Sequence, residues 1–376
     1  MIDLLRQDVV NSADRIVVKI GTNVLTRPDG ALDRDHLSHL AEQVAYVRGT
    51  GRQVAIVSSG AVGAGIGKLQ LGGRPTTLPE LQAAAAVGQA DLIDAYDASF
   101  RPHGFHAAQI LLTAEDLQNR TRYLNVRNTI QQLLDWGAVP VINENDTVST
   151  DEIRVGDNDR LAALVTNLLR APLLVILSNV DGLYRGRPGA PDAELLETVL
   201  DLNAEVLALA TEAKSGLGTG GMKTKLEAAR IATSAGENVW IAPGRRPDVL
   251  RAVLRGERVG TLFPARGESM NSWKRWIGYT ARARGSYIVD DGARSALVSG
   301  NRSLLPVGVV RVEGDFQKGD VVNIATETSA VFARGLTNYK SDEATRIAGR
   351  PTSELATILG HAPYAEAVHR DNLVIL

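Results

Sequence analysis

Short apolar runs alternate with longer amphipathic segments through the first two-thirds of the chain, and this alternation most limits the possible folds. Six apolar runs predict strands at 15–20, 54–58, 107–112, 139–143, 173–178 and 238–242. Most of these runs lack polar alternation, which is typical of strands buried on both faces of a parallel sheet. Helical segments lie between them, at 34–48, 79–100, 123–136, 159–170, 202–213 and 222–235. This repeated strand–helix order predicts βαβ units and a layered α/β domain.

The pattern changes after residue 242. Short strand-like runs between 281 and 376 are broken by Gly, Asp and Asn, which predicts a small β-rich domain. A chain of 376 residues has the length expected of two domains. We therefore expect a first domain over 1–264, a linker over 265–280 and a second domain over 281–376.

Composition excludes several classes of protein. The chain has no Cys, which removes disulfides, thiolate zinc sites, iron–sulfur clusters and a Cys nucleophile. A formal net charge of −2 gives no sign of a nucleic-acid footprint. No apolar run reaches the roughly 18 residues of a membrane span, and the N-terminal segment carries acids where a signal peptide needs an apolar stretch. These observations predict a soluble, cytoplasmic protein.

Glycines and isolated polar residues follow the predicted strands, where an open parallel sheet binds its ligands. These segments lie at 19–23, 58–65, 143–146, 156–159, 178–182 and 218–225. The glycine loops at 59–63 and 216–225 favour anion binding, because their backbone N–H groups can approach a phosphate closely. Ordinary strand–helix turns are the alternative. The standard phosphate-binding loop is absent, since Val62 stands where its first glycine should be. The glycines at 216–221 follow a helical segment, so a dinucleotide-binding enzyme is not indicated.

Two lysines predict the chemistry of this polar crevice. Lys19 ends the first strand, where an unpaired ammonium would be costly, so it either forms a structural ion pair or faces an anion. Lys225 could reach the same anion, with Asp159 as the candidate to align the two lysines. Phosphoryl transfer needs mainly positioning and positive charge. The six histidines lie outside the crevice segments, at 36, 39, 103, 106, 361 and 369. An acceptor that is already ionised, such as a carboxylate, fits a site without a histidine base.

Five motifs in order now identify a family resemblance. They are VVKIGTNVLT at 17–26, SSGAVGAG at 58–65, VPVINENDTV at 139–148, VGDNDRLAALV at 155–165 and GTGGMKTK at 218–225. Together they resemble the glutamate 5-kinases of the amino acid kinase family, and the segment from 286 onward resembles a PUA domain. The resemblance covers nearly the whole chain.

This resemblance implies a three-layer αβα sandwich followed by a small β-rich PUA domain. It also implies the reaction of ATP with L-glutamate to give ADP and L-glutamyl 5-phosphate, with Mg²⁺ as cofactor. That reaction is the first step of proline biosynthesis, and the family is inhibited by proline. The family further suggests a homo-oligomer, either a dimer or a tetramer.

The resemblance also assigns site residues. Lys19 and Lys225 match the catalytic lysines that hold the transferred phosphoryl group, and Asp159 matches the aspartate that organises them. The positions that match glutamate-binding residues are Ser59, Asp146 and Asn158. The positions that match nucleotide-binding residues are Lys19, Ser178, Asn179, Thr219, Gly220, Gly221, Met222, Lys223, Thr224 and Lys225. No residue is assigned to a metal. Asn179 departs from the family, which commonly has Asp there. Asparagine keeps the acceptor oxygen but loses the charge, so we expect a changed affinity for the nucleotide and the same class of reaction.

Alternatives stay open for single residues and for the function. Asp146 could be a turn residue, and Asn158 and Asp159 could cap a helix. A related kinase for acetylglutamate or aspartate is another possibility, although an acetylated amine would not need the carboxylate of Asp146. RNA binding through the PUA-like segment and the sequence WKRW at 273–276 is the less favoured alternative. That segment carries eleven basic and eleven acidic residues over 281–376, and a three-residue spacing of tryptophans also suits one buried helix face.

Overall fold

The computed structural model describes residues 3–27, 30–148, 158–212, 221–265, 272–300, 302–327, 330–361 and 364–376. The chain divides into two compact units. The first comprises Met1–Leu117 and Thr121–Ser269, and the second comprises Gln118–Arg120 and Met270–Leu376.

A seven-stranded sheet forms the centre of the first unit. Its strands are β1 (Arg15–Ile20), β2 (Gln53–Ser58), β3 (Ala107–Leu112), β4 (Val139–Glu144), β5 (Leu173–Ser178), β8 (Asn238–Pro243) and β9 (Thr261–Phe263). They lie in the order β3-β4-β2-β1-β5-β8-β9, and all neighbours are parallel except β8 and β9. A separate antiparallel pair joins β6 (Tyr184–Arg185) to β7 (Glu194–Leu195). The six predicted strands are therefore confirmed, each within one residue at either end.

Helices cover both faces of this sheet. The described helices of this part of the chain are α1 (Leu4–Asn11), α2 (Thr22–Leu25), α3 (Arg34–Gly49), α4 (Ala61–Lys68), α5 (Leu78–Phe100), α6 (Ala114–Gln118), α7 (Arg120–Asp135), α8 (Asn158–Leu169), α9 (Ala204–Glu212), α10 (Met222–Ser234) and α11 (Val249–Leu254). Apolar residues of α3, α5 and α11 form one core cluster with alternate residues of the strands, such as Val18 and Val175. α8 contacts β1 and β5, and α10 contacts α8 and β8. The predicted three-layer α/β class is confirmed.

Burial explains the apolar runs of the central strands. Every residue of β5 is buried, as is every residue of β1 after Arg15. β3 lies at the edge of the sheet and is mostly half-buried. Short polar residues begin the helices: the Asp33 carboxylate accepts the His36 N–H at 3.2 Å and caps α3. The N–H of Thr77 donates to the Glu80 carboxylate at 3.3 Å, which fixes the start of α5.

The second unit is the predicted β-rich region. Its sheet has the order β11-β10-β12-β13-β14. The strands are β10 (Gly285–Val289), β11 (Val309–Gly314), β12 (Val321–Thr326), β13 (Ala333–Thr337) and β14 (Val368–Ile375). The helices are α12 (Ser272–Arg275), α13 (Asp291–Gly300), α14 (Ser341–Ile347) and α15 (Leu355–Leu359). Tyr287, Phe316 and Tyr339 are among the buried residues of its core.

Within the described part of the whole chain, no helix has both the length and the apolar character to span a bilayer.

Candidate active site

Lys19, Asp159 and Lys225 form one buried ionic cluster in the first unit. β1 carries Lys19 near its carboxyl end, Asp159 lies in the first turn of α8, and Lys225 lies in the first turn of α10. The Lys19 Nζ atom is 2.5 Å from Asp159 Oδ1, and the Lys225 Nζ atom is 3.0 Å from Asp159 Oδ2. The lysine side chains are 5% and 8% exposed and the Asp159 side chain is fully buried. The structure therefore brings together the three residues that the sequence singled out for their charge.

The electrostatics of Asp159 follow from this arrangement. Burial by itself raises the pKa of a carboxyl group, but the charges of Lys19 and Lys225 and their hydrogen bonds outweigh it. Together they lower the pKa of Asp159 to about 2. The Thr224 hydroxyl lies 3.1 Å from Asp159 Oδ2 and 2.8 Å from the Gly221 carbonyl oxygen, and it donates to one of them at a time. Asp159 therefore carries its negative charge between the two lysine side chains at neutral pH.

The ends of the central strands are bonded to one another around this cluster. The Ser59 N–H donates to the carbonyl oxygen of Ile20 at 3.1 Å, and the Gly21 N–H donates to that of Leu177 at 3.3 Å. Gly60 then begins α4 with a φ of +104°, a conformation that L side chains rarely adopt. These contacts set the carboxyl ends of β1, β2 and β5 side by side, where an open parallel sheet binds ligands.

A second group of polar side chains joins Ser59 to Asn158. The Asn158 Nδ2 atom lies 2.9 Å from Ser59 Oγ, 2.8 Å from the Ser58 carbonyl oxygen and 2.9 Å from Asn143 Oδ1. Asn158 Oδ1 is buried and has no hydrogen-bond partner among the described residues. Asn143 is 1% exposed, and the sequence reasoning did not single it out, although it stands at the carboxyl end of β4. We call Ser59, Asn143 and Asn158 the amide cluster.

Asp146 lies in a cavity rather than in a direct contact with the amide cluster. The cavity has a volume of about 390 Å³ and is lined by Ala85, Ala86, Gln89, Ala90, Ile93, Gln109, Leu111, Glu144, Asn145, Asp146 and Thr147. Burial, followed by the charge of Glu144, raises the pKa of Asp146 to about 6. Gln89 lines this cavity and also contacts Asn143, so it connects the cavity to the amide cluster.

The residues that match nucleotide-binding positions lie in two places. Ser178 ends β5, is 3% exposed, and donates to Asn179 Oδ1 at 3.4 Å, while Asn179 itself is exposed. Gly221 precedes α10, whose first turn holds Met222, Lys223, Thr224 and Lys225. Gly221 has no side chain with which to cap this helix, and an uncapped helix N-terminus favours an anion. Thr219 and Gly220 lie outside the described residues.

The side chains of this site also limit how the protein can bind Mg²⁺. Mg²⁺ commonly binds through one or two carboxylates, several waters and the phosphates of a substrate. Among the described residues, no group of three or more His, Cys, Asp and Glu side chains could hold a metal ion. Both oxygens of Asp159 face lysine ammonium groups. The described residues therefore do not fit a magnesium site built from protein ligands alone.

In the second unit, the two tryptophans of the WKRW sequence are engaged with protein groups. Their rings stack with centroids 5.6 Å apart, and the Arg120 guanidinium lies 4.8 Å from the ring centroid of Trp273. Trp276 is 7% exposed, and the Trp273 Nε1–H donates to Asn372 Oδ1 at 2.6 Å. This arrangement favours a structural role for the pair over a stacking platform for RNA bases.

Comparison with known proteins decides the family. The sequence pattern described as "Amino acid kinase family" matches residues 14–243, which is more than half of the chain. The chain belongs to the amino acid kinase family. Residues 285–359 match the pattern of the PUA domain, so this family member carries that domain at its C-terminal end. Both parts of the predicted resemblance are confirmed.

Curated relatives resemble this amino acid kinase over almost its full length. The glutamate 5-kinase of Myxococcus xanthus is 50% identical over 368 residues, which is 98% of this chain and 97% of the relative. The glutamate 5-kinase of Geobacter sulfurreducens is 48% identical over 373 residues, which is 99% of this chain and 100% of the relative. Among solved structures, carbamate kinase from Giardia lamblia aligns with a TM-score of 0.50 and 18% identity, covering 68% of this chain and 100% of that one. The structural match supports the fold alone.

Proposed function

We propose that this chain transfers the γ-phosphoryl group of ATP to the side-chain carboxylate of L-glutamate, giving ADP and L-glutamyl 5-phosphate. The buried Lys19–Asp159–Lys225 cluster carries the proposal, because it holds a net positive charge where the strands end. Support also comes from relatives named glutamate 5-kinase at 45–50% identity.

The chemical step needs no proton transfer. A carboxylate oxygen of glutamate forms the new bond to the γ-phosphorus, the bond from that phosphorus to the bridging β–γ oxygen breaks, and its electron pair leaves with ADP. The reaction brings two anions together, so positive charge matters more than a base. Lys19 and Lys225 supply that charge from opposite sides of Asp159. Asp159 keeps the two ammonium groups apart and oriented, because each contacts a different carboxylate oxygen.

Glutamate is recognised by the amide cluster and by Asp146. Ser59 and Asn158 are proposed to bind its polar groups. Asn158 Oδ1, which has no hydrogen-bond partner among the described residues, gives the cluster an acceptor for an N–H donor. The Asp146 carboxylate would receive the α-ammonium in a charge-assisted hydrogen bond. An acetylated amine carries no such charge, which favours glutamate over acetylglutamate as the substrate.

ATP is proposed to bind at Ser178, Asn179 and the uncapped start of α10. Mg²⁺, held mainly by the ATP phosphates, would neutralise charge that develops on them. We also propose that the reaction is the first step of proline biosynthesis, that proline inhibits it, and that the enzyme is a cytoplasmic homo-oligomer, either a dimer or a tetramer. These last proposals rest on the family alone.

The test is hydroxamate formation by purified protein with Mg-ATP and hydroxylamine, which traps an acyl phosphate. The acceptors are L-glutamate, N-acetyl-L-glutamate and L-aspartate, each with and without added proline. We expect product with L-glutamate and less of it when proline is present. Lys225→Ala should lower the yield of product at least about a hundredfold, whereas Arg230→Ala, which removes an exposed cation from the same helix, should retain it. Product with a different acid, or with none, contradicts the proposed substrate.

A further inference from the structure

A buried glutamine outside the residues assigned above contacts the amide cluster. Gln89 lies in the interior of α5 and is 8% exposed. Its Oε1 atom accepts a hydrogen bond from Asn143 Nδ2 at 2.7 Å, and both side chains are buried there. A buried amide is costly unless its groups are hydrogen-bonded, so this contact constrains both residues.

The contact completes the hydrogen bonding of the Asn143 amide. Asn143 Oδ1 accepts from Asn158 Nδ2 at 2.9 Å and from the Glu144 N–H at 2.9 Å. A 180° flip would direct Asn143 Nδ2 at those two donors and its oxygen at the oxygen of Gln89. In the orientation that these two donors set, Asn143 Nδ2 faces Gln89 Oε1, so Gln89 satisfies the buried donor that this orientation leaves and thereby holds Asn143 where it contacts Asn158.

α5 is held in a register that presents Gln89 to Asn143. A Cβ atom added to Gly88, the preceding residue, would lie 1.8 Å from the carbonyl oxygen of Ala61 on α4. A Cβ atom added to Gly65 of α4 would lie equally close, at 1.8 Å, to the carbonyl oxygen of Ala84. The two helix backbones are therefore in direct contact, and α5 cannot slide along α4 without a clash.

A second residue of α5 contacts the neighbouring strand end. Tyr96 lies two turns after Gln89 on the same face of the helix. Its hydroxyl oxygen is 3.0 Å from Ser58 Oγ, at the carboxyl end of β2, and the Tyr96 side chain is fully buried. One helix thus holds the ends of β4 and β2, and both ends supply oxygens that face Asn158 Nδ2.

We propose that Gln89 is a positioning residue for substrate binding, which sets the affinity for glutamate by orienting Asn143 and, through it, Asn158. The inference rests on the proposed function, because it takes glutamate as the molecule that Asn158 binds. Gln89 also lines the cavity that contains Asp146, and its Nε2 atom has no hydrogen-bond partner among the described residues. It therefore lies between the two groups assigned to the substrate.

The test uses the full-length protein and three substitutions of one residue. Gln89→Met keeps the length of the side chain but removes the acceptor, and Gln89→Asn withdraws the acceptor by one methylene. Gln89→Glu retains an acceptor for Asn143 Nδ2. Gln131→Met is the matched control, because Gln131 donates to Asp135 on the exposed surface of α7, at 2.8 Å.

We expect the glutamate KM to rise about tenfold in Gln89→Met, the effect of one lost buried hydrogen bond, with kcat and the ATP KM changed by less than about threefold. Gln89→Asn should show the same direction, and Gln89→Glu should recover most of the affinity. Calorimetric titration with glutamate should give the same order of affinities without turnover. Gln131→Met should match the wild type.

Several results would overturn the inference. An unchanged glutamate KM in folded Gln89→Met would overturn it. If Gln89→Met does not fold, an unchanged glutamate KM in Gln89→Asn would overturn it as well. Equal losses in kcat and in both KM values would indicate general disruption instead. Hydroxamate formation by the wild-type enzyme tests the proposed function separately. If the wild type phosphorylates glutamate and every Gln89 variant keeps the wild-type affinity for glutamate, the inference about Gln89 is refuted and the proposed function stands.

Discussion

Replacing Asp159 by Asn tests the ionic cluster most directly. The side chain keeps its shape but loses its charge, and the ammonium groups of Lys19 and Lys225 lie 2.5 and 3.0 Å from its two oxygens. Asparagine can accept from one lysine, but it then directs its NH₂ group at the other. Two buried ammonium groups would remain with no negative charge between them.

The size of the effect follows from burial. Removing one partner of a buried ion pair costs about 3–5 kcal/mol, whereas an exposed pair contributes about 0–1 kcal/mol. For a unit of this size, 1 kcal/mol corresponds to about 2–4 °C, so the Tm of the first unit should fall by about 6–20 °C. Because the pKa of Asp159 is lowered to about 2, from an ordinary 3.8, its stabilisation is complete above about pH 5 and is lost as the pH falls toward 2.

The assay is differential scanning calorimetry at pH 7, with and without ATP. Glu227→Gln is the matched control, because it removes an exposed ion pair, Arg160–Glu227, that spans the same two helices at 3.0 Å. ATP should restore part of the lost Tm in Asp159→Asn, since its phosphates return negative charge to the lysines. A Tm equal to that of Glu227→Gln would refute the reasoning, because it would mean that the lysines do not depend on Asp159.

The remaining predictions concern kinetics. Lys19→Ala and Lys225→Ala should each lower kcat about 10²–10³-fold with smaller changes in KM, because the charge of these lysines acts mainly on the transition state. A near-normal kcat in either variant would show that the replaced lysine takes no part in the mechanism. With the pKa of Asp146 raised to about 6, the glutamate KM should fall as pH rises from 5 to 6.5 and then level off. Asp146→Asn should abolish this pH dependence of the glutamate KM. If the dependence of KM on pH is unchanged in that variant, a group other than Asp146 causes it. Deleting residues 270–376 should leave kcat within about threefold, because the ionic and amide clusters belong to the first unit; a folded but inactive truncation contradicts this.

Continuous apolar runs made the central strands predictable. β1, β3 and β5 begin and end at the predicted residues, since a strand buried in a parallel sheet needs apolar side chains on both faces. α1 and the three-residue strand β9 were not predicted. The position of α1 depends on tertiary contacts of Arg6, which is fully buried, stacks 4.7 Å from the Trp240 ring and donates to the carbonyl oxygen of Glu197 at 2.6 Å. No local pattern encodes such contacts.

The candidate site also has residues that the sequence could predict and residues that it could not. Lys19, Asp159 and Lys225 could be expected together. Lys19 ends a strand, Asp159 and Lys225 follow polar or glycine segments where helices begin, and buried charges require partners. Asn143 stands in the predicted crevice segment 143–146, but its contact with Gln89 could not be expected. Asn143 reads as the end of a strand, and Gln89 reads as one polar residue in an alanine-rich helix. Their importance comes from a contact across 54 positions of sequence, which only the packing of α5 on the strands creates.

The ionic cluster also explains how the two lysines that we propose for a reaction between anions can be buried. One unpaired lysine would be expensive in this interior, and two would also repel each other. Asp159 offsets both costs with a single negative charge, which leaves a net charge of +1 for the incoming phosphates. An ammonium has three N–H donors, so a bond to Asp159 exhausts neither lysine. Because the pKa of Asp159 lies near 2, the negative charge of Asp159 does not change between pH 5 and 8. The pH dependence of the enzyme in that range should therefore arise in glutamate binding at Asp146 and leave kcat nearly constant.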